Sequence, residues 1–345
     1  MLESIPRQMR GVVMSDYHAE LTDAIDGLSV GELPVPTPGR GQVLVRIEAA
    51  PCNPSDLMLL LGKYGQLKTL PSVPGWEGAG TVVASGGGLL AGWLRGKRVA
   101  CAVQEDRHGT WAEYMVANAM QCIPLKKDIR FEQGACLIIN PLTAMGLLDT
   151  ARRGGHAAAV HTAGASQLGR MLIAMAARDN YPLVNLVRRE EQLELLQSLG
   201  ATHVLNSSDE DFVEQLQEIT RRLGATAVFE AVGGDLTGTV FNALPRGTKV
   251  FVYGALSEEP CGNLDPVELI FHDKTVTGFY LGEWLQRRGT LGILRAAGRV
   301  QRMILDGVIE TTFQREVSLN DVRDGLHQYV ENMTEGKLLI RPQAE

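Results

Sequence analysis

At 345 residues the chain is long for one hydrophobic core and favours two domains, and 45% hydrophobic with 21% charged residues excludes disorder as the default reading. A formal charge of −7 argues against a basic nucleic-acid surface, and five scattered cysteines (Cys52, Cys101, Cys122, Cys136, Cys261) without a CxxC argue against a disulfide framework and for free thiols in a reducing compartment. Glu3, Asp16 and Glu20 interrupt any leader-like apolar stretch and no run approaches a membrane helix, so the expected place is the cytoplasm, with Arg7 and Arg10 leaving import into the mitochondrial matrix open.

Up to about residue 135, short apolar runs alternate with Pro and Gly breaks: Val43 to Ile47, Gly80 to Val83, Arg98 to Val103. This pattern predicts a twisted β domain. From about 156 the rhythm becomes strand then helix, beginning with a strand from His156 to Ala163 and a helix from Leu168 to Arg178. Strands follow at Pro182 to Val187, His203 to Leu205, Ala227 to Glu230, Lys249 to Tyr253 and Thr275 to Gly278. Helices between them are expected at Glu190 to Leu199, Asp209 to Arg222 and Leu236 to Leu244. Such alternation demands a parallel sheet covered on both faces. The tail from Phe279 reads as two helical stretches and a closing strand, Lys337 to Ile340, which can return to the first domain.

Between the first of these strands and its helix stands Gly164-Ala165-Ser166-Gln167-Leu168-Gly169. Gly164 suits a tight turn, the small Ser166 lets backbone approach a pyrophosphate, and Gly169 lets the helix pack on the sheet. The helix start then offers N–H groups and a positive dipole end to phosphate. Ser166 replaces the middle glycine of GxGxxG, so the loop alone fits a structural turn about as well as a nucleotide site. A nucleophile elbow, GxSxG, fails because its fifth residue is Leu168. At the end of the second strand, where an NAD site carries an acid for the ribose hydroxyls, the chain has Arg188-Arg189. Two guanidiniums there suit a ribose 2′-phosphate and favour NADP(H). The plain alternative is a solvated pair bridged to Glu190 or Glu191. His156 and His161 read as satisfied core histidines.

This order of parts, with AGASQLG, LVRREEQ and SLGATHV, resembles the medium-chain dehydrogenase/reductase superfamily over nearly the whole chain. The resemblance implies a GroES-like catalytic domain (1–137), a Rossmann doubly wound parallel sheet binding NADP(H) (138–278), and a C-terminal segment (279–345) returning to the catalytic domain. Zinc-dependent members place ligands where this chain has Asn53, Trp76 and about Ile139, none of which binds zinc as thiolate or imidazole does. No metal is therefore expected.

A narrower resemblance lies in Ala50-Pro51-Cys52-Asn53-Pro54-Ser55-Asp56, Gly62-Lys63-Tyr64-Gly65, Asn140-Pro141-Leu142-Thr143-Ala144 and Gly278-Phe279-Tyr280-Leu281-Gly282-Glu283-Trp284. These are similar to 2-enoyl thioester reductases, a branch that overlaps with zinc-free quinone reductases. The resemblance implies Tyr64 as proton donor and adds Asn53, Asn140 and Thr143 to the cofactor-binding set; Phe279, Tyr280 and Trp284 are candidates for an acyl pocket.

Read locally, Asn53 is a helix N-cap, Pro54 fits N1, Asp56 at N3 favours the positive helix start, and Gly62 ends the helix just before Tyr64. Capping alone accounts for Asn53 and Asp56, and a packing or surface role remains open for Tyr64. Glu77 is expected to support backbone. The implied reaction is NADPH-dependent reduction of the carbon–carbon double bond of an unsaturated thioester or enone by a homodimer. A quinone acceptor, which would not need Tyr64, and a nucleotide-binding sensor with little turnover are the alternatives.

Overall fold

The strand Gln42–Pro51 is rich in β-branched and small residues and is buried along most of its length, as a strand flanked on both sides must be. In the computed structural model, which describes residues 5–103 and 107–344, this strand is the spine of the first of two units. Glu3 lies outside the described residues.

The first unit comprises Met1–Ile139 and Leu294–Glu345. Its larger sheet runs in the order Phe313–Ser318, Lys337–Arg341, Gln42–Pro51, Glu77–Ser85, Arg98–Ala102, Cys122–Pro124, with Tyr114–Asn118 also paired to Gln42–Pro51. The tail enters this sheet antiparallel, Leu339 opposite Pro51 and Ile340 opposite Ala50. A hairpin of Gln8–Val13 with Ser29–Pro34 packs over the same core, whose fully buried members include Val45, Ile47, Leu60, Trp111 and Ile340. The helix Pro54–Leu60 leaves the end of Gln42–Pro51, so whatever it carries is anchored to the middle of the sheet.

The second unit, Asn140–Ile293, holds six parallel strands in the order His203–Asn206, Leu183–Val187, Ala158–His161, Ala225–Glu230, Lys249–Val252, Thr275–Gly278. Chain order reverses between Ala158–His161 and Ala225–Glu230, the switch point of a Rossmann sheet. Ala158–His161 and Leu183–Val187 are buried at every position. The helix Phe212–Leu223 shows why the flanking layers form: Phe212, Leu216, Ile219 and Thr220 bury one face, and Gly224 ends it in the left-handed region at φ 64°.

Three details depart from the sequence reading. The first parallel strand starts at Ala158, so His156 precedes it and bonds Thr226 Oγ1 at 2.8 Å. A 15-residue helix, Ile139–Arg153, opens the second unit where no element was expected. The helix Leu281–Leu305 is broken at Gly289 (φ 62°), and its portion up to Ile293 belongs to the second unit, later than the expected boundary at 278.

Candidate functional site

The candidate residues fall into two sets, one in each unit. In the first unit, the chain leaves the central strand at Pro51 and turns at Asn53 into the helix Pro54–Leu60. Asp56 Oδ2 accepts the Asn53 backbone N–H at 2.7 Å and Asp56 Oδ1 accepts that of Trp76 at 3.0 Å. The carboxylate thus fastens the helix start to the beginning of the strand Glu77–Ser85. The Asn53 amide itself turns inward, giving Nδ2–H to Glu77 Oε1 at 3.2 Å while its Oδ1 accepts from Lys337 Nζ. Glu77 Oε2 accepts the N–H groups of Ile138 (3.1 Å) and Ile139 (2.9 Å).

Asn53, Asp56, Glu77 and Lys337 are all at most 2% exposed. Burial pushes the Asp56 carboxyl up to about 7 against the opposing pull of the Asn53 N–H and Lys337, and it raises Glu77 as well. Lys337 supplies the cation that makes burying two acids tolerable. Asn53 is therefore more than the expected N-cap, because both ends of its amide are committed within the protein.

Gly62, at φ 67°, ends the helix and turns the chain so that Tyr64 N–H reaches Met58 O at 3.1 Å. The Tyr64 ring, partly buried, lies 4.9 Å from the Trp76 ring at 38°. Trp76 Nε1 donates to Ser55 O at 3.1 Å.

The zinc positions of related enzymes are thus an amide already used at both ends (Asn53), an indole, whose nitrogen only donates, and an aliphatic side chain whose backbone N–H serves Glu77 (Ile139). Cys52 beside them is fully buried, and burial pushes its thiol up. This donor set does not fit zinc. Among the described residues, no group of three or more His, Cys, Asp or Glu side chains is placed to hold a metal.

In the second unit, Ser166 caps the helix Gln167–Arg178 through Oγ, which accepts from Gly169 N at 3.0 Å. The serine that breaks the GxGxxG pattern thus supplies a cap that glycine cannot. A Cβ on Gly169 would stand 2.2 Å from Gly164 O, and one on Gly164 would stand 2.8 Å from Leu196 Cδ1 and 3.0 Å from Asn185 Cβ. Both glycines are dictated by close approach of loop, helix and sheet. Ala165, Gln167 and Leu168 are buried around this turn.

Arg188 and Arg189 follow the strand Leu183–Val187 and are exposed. Arg189 pairs with Glu191 at 3.2 Å, whereas the Arg188 guanidinium carries no ion pair among the described residues. Ser208, after the neighbouring strand His203–Asn206, donates Oγ–H to Arg188 O at 3.1 Å. Asn140 and Thr143 lie one turn apart, buried, at the start of Ile139–Arg153. Phe279 and Trp284 pack against the same helix: a Cβ on Gly146 would meet Phe279 Cζ at 2.6 Å and Trp284 Cδ2 at 3.1 Å. Arg288 lies 4.1 Å above Trp284 and bridges Asp149. These two aromatics are engaged in packing, while Tyr280 is half exposed.

Sequence reasoning missed Lys337, Lys68, Ser208 and a buried cluster at the carboxyl ends of the central strands. There His161 Nε2 lies 2.6 Å from Tyr253 Oη, and Glu230 Oε1 accepts from Val232 N (2.6 Å) and Gly233 N (2.8 Å). Burial drives His161 down to about 3, so it is neutral. No local pattern marks Lys337, a single cation opening an apolar strand; Ser207-Ser208 after a predicted strand was an available signal.

Residues 39–127 match the family model for the alcohol dehydrogenase GroES-like domain and residues 168–294 that for zinc-binding dehydrogenases. The chain is 30% identical over 327 residues to the synaptic vesicle membrane protein VAT-1 homolog of Rattus norvegicus, covering 90% of this chain and 79% of that protein. It is 30% identical over 249 residues to the mitochondrial enoyl-[acyl-carrier-protein] reductase of Arabidopsis thaliana, covering 70% and 65% respectively. Among solved structures, a Mesorhizobium loti protein assigned as an NADPH:quinone reductase superposes with a TM-score of 0.91 at 36% identity, covering 98% of this chain and all of that one (100%). A mycobacterial protein complexed with NADPH superposes with a TM-score of 0.80 at 26% identity, covering 97% and 100%. Sequence, sheet order and these likenesses agree: the chain belongs to the medium-chain dehydrogenase/reductase superfamily of oxidoreductases.

Proposed function

We propose that this protein reduces the carbon–carbon double bond of an α,β-unsaturated thioester with NADPH, adding hydride at Cβ and a proton at Cα. The observation that carries the reading is Tyr64, a phenol set on a short loop after a helix fixed by Asp56, in a first unit whose metal positions are filled by groups that cannot bind zinc. When bound, NADPH supplies the hydride. The turn Gly164–Gly169 holds its pyrophosphate at a helix start, with Asn140 and Thr143 as further contacts, and Arg188 with Arg189 takes the 2′-phosphate. Asn53, expected among the cofactor contacts, has both ends of its amide held by Glu77 and Lys337.

A tyrosine phenol carries one O–H proton, which it can deliver to the carbon next to the thioester carbonyl. Tyr280 is the most open of the aromatic residues proposed to meet the acyl chain. The five free cysteines fit a reducing compartment such as the cytoplasm, and a homodimer is the proposed assembly. Among the described residues no helix is long and apolar enough to cross a membrane. A quinone acceptor is the second reading, favoured by the likeness to the Mesorhizobium loti protein.

The test is an NADPH-oxidation panel of crotonyl-type thioesters, enones and quinones, run with and without a chelator. Fastest turnover on the thioester, unchanged by chelation, supports the reading; quinone turnover far above thioester turnover, or a requirement for zinc, overturns it.

A further inference from the structure

The loop that carries Tyr64 also carries Lys68, and both side chains meet the same indole. Lys68 is only 3% exposed; its ammonium lies 4.9 Å from the Trp76 ring centroid, donates to Val73 O at 3.3 Å and reaches Arg107 O. Its backbone is held from the other side, because Tyr17 Oη donates to Lys68 O at 2.7 Å and accepts from Lys68 N at 2.8 Å. Tyr64 lies 4.9 Å from the same Trp76. Trp76 is fastened through its backbone N–H to Asp56, its backbone O to Val103 N at 2.9 Å and its Nε1 to Ser55 O. The residue standing where zinc members have a histidine is thus the immobile point to which a loop without regular structure is pinned twice.

We propose that Trp76, with Lys68 as the second pin, positions the Tyr64 phenol for proton delivery to Cα. The proposal rests on the enoyl thioester reading and deepens it. A loop tyrosine has rotamer freedom that a proton donor cannot keep, since misplacement of about 1 Å can cost on the order of 10²-fold in rate. A tilted aromatic pair restrains the ring plane of Tyr64, and a desolvated cation over the indole resists lifting of the loop. Trp76 and Lys68 are positioning residues; the proton comes from Tyr64.

Four variants test this: Trp76→Leu, Trp76→Phe, Lys68→Met and Tyr64→Phe, with Trp76→Leu also combined with Tyr64→Phe. On a crotonyl-type thioester, Trp76→Leu should lower kcat by about 10- to 30-fold with KM and NADPH affinity nearly unchanged, and Trp76→Phe should recover to within about threefold of the parent. In D2O the parent should label one face of Cα, whereas Trp76→Leu and Tyr64→Phe should label both. The double variant should be no slower than Tyr64→Phe alone, because both remove one function. Lys68→Met should show a smaller loss of the same kind; should Trp76→Leu fail to fold, Trp76→Phe and Lys68→Met carry the test through kcat and labelling. Full kcat with single-face labelling in Trp76→Leu, or losses that multiply in the double variant, overturns the positioning role while leaving a crippled Tyr64→Phe to support the enoyl reading. Undiminished turnover in Tyr64→Phe itself defeats that reading and the positioning proposal together.

Discussion

The two units handle charge in opposite ways. In the first, Asp56, Glu77 and Lys337 are sealed from water and spend their hydrogen bonds on Asn53 and on the backbone of Cys52, Trp76, Ile138 and Ile139. In the second, Arg188 and Arg189 stand in solvent, with one guanidinium on a neighbouring glutamate. The contrast teaches which charges are architecture and which are available to a ligand. Removing a buried ion's partner leaves an uncompensated charge in a poorly solvating place, whereas an exposed pair is worth roughly 0–1 kcal/mol and exchanges one anion for another at little cost.

The hardest blow to this contrast is Lys337→Met, which keeps length and removes the cation facing both acids. The first unit should lose about 1.5–3 kcal/mol, the range for a hydrogen bond to a charged group, measured as a shift in its denaturant midpoint, while NADPH affinity is retained. A midpoint within error of the parent would show that the buried charges are not structurally coupled.

Protonation probes the same cluster. Asp56 has its folded pKa raised from 3.8 to about 7, so between those values the folded chain keeps a proton that the unfolded chain has lost. The stabilisation is complete below 3.8 and declines as pH rises to about 7, by up to ~1.4 kcal/mol per pH unit. Stability curves from pH 4 to 8 should show this slope, and Asp56→Asn should flatten it; a parent slope of the opposite sign would place the titration elsewhere.

How much of this was legible follows from where the signals reside. The alternation after residue 156 lies in short apolar runs between Gly stops, and Thr275–Gly278 and Lys249–Val252 form where those runs stand. The turn Gly164–Gly169 and the arginines after Val187 are also local patterns, readable without a partner. The short helices Leu21–Asp26, Leu89–Leu94 and Pro266–Phe271 carry too few periods to read, and Ile139–Arg153 hides its start behind Pro141. The Lys337 to Asn53 contact spans 284 positions and exists only once a sheet is built.

The third expectation compares catalysis across the units. Tyr64→Phe should cut enoyl-thioester turnover by roughly 10²-fold or more while NADPH binding, assigned to the second unit, stays unchanged. Equal loss of NADPH affinity, read by fluorescence titration, would erase the division of labour.

The smallest effect is expected from the exposed charges. NADPH should bind at least about tenfold more tightly than NADH, on the order of 1.4 kcal/mol, and Arg188→Ala with Arg189→Ala should shrink that preference with thermal stability unaltered. Equal affinities in the parent protein would remove the arginines from cofactor choice.

The pairing of Lys337–Arg341 with Gln42–Pro51 has a consequence for biosynthesis. The second unit is contiguous, Asn140–Ile293, and can fold on a ribosome as soon as that stretch has emerged. The first unit must wait with the Ala50–Pro51 end of its central strand lacking one neighbour and two acids without their cation until the strand Lys337–Arg341 is translated. A nascent chain halted before that point leaves the Ala50–Pro51 end of the sheet open, so completion of this unit's core depends on the last residues to be made.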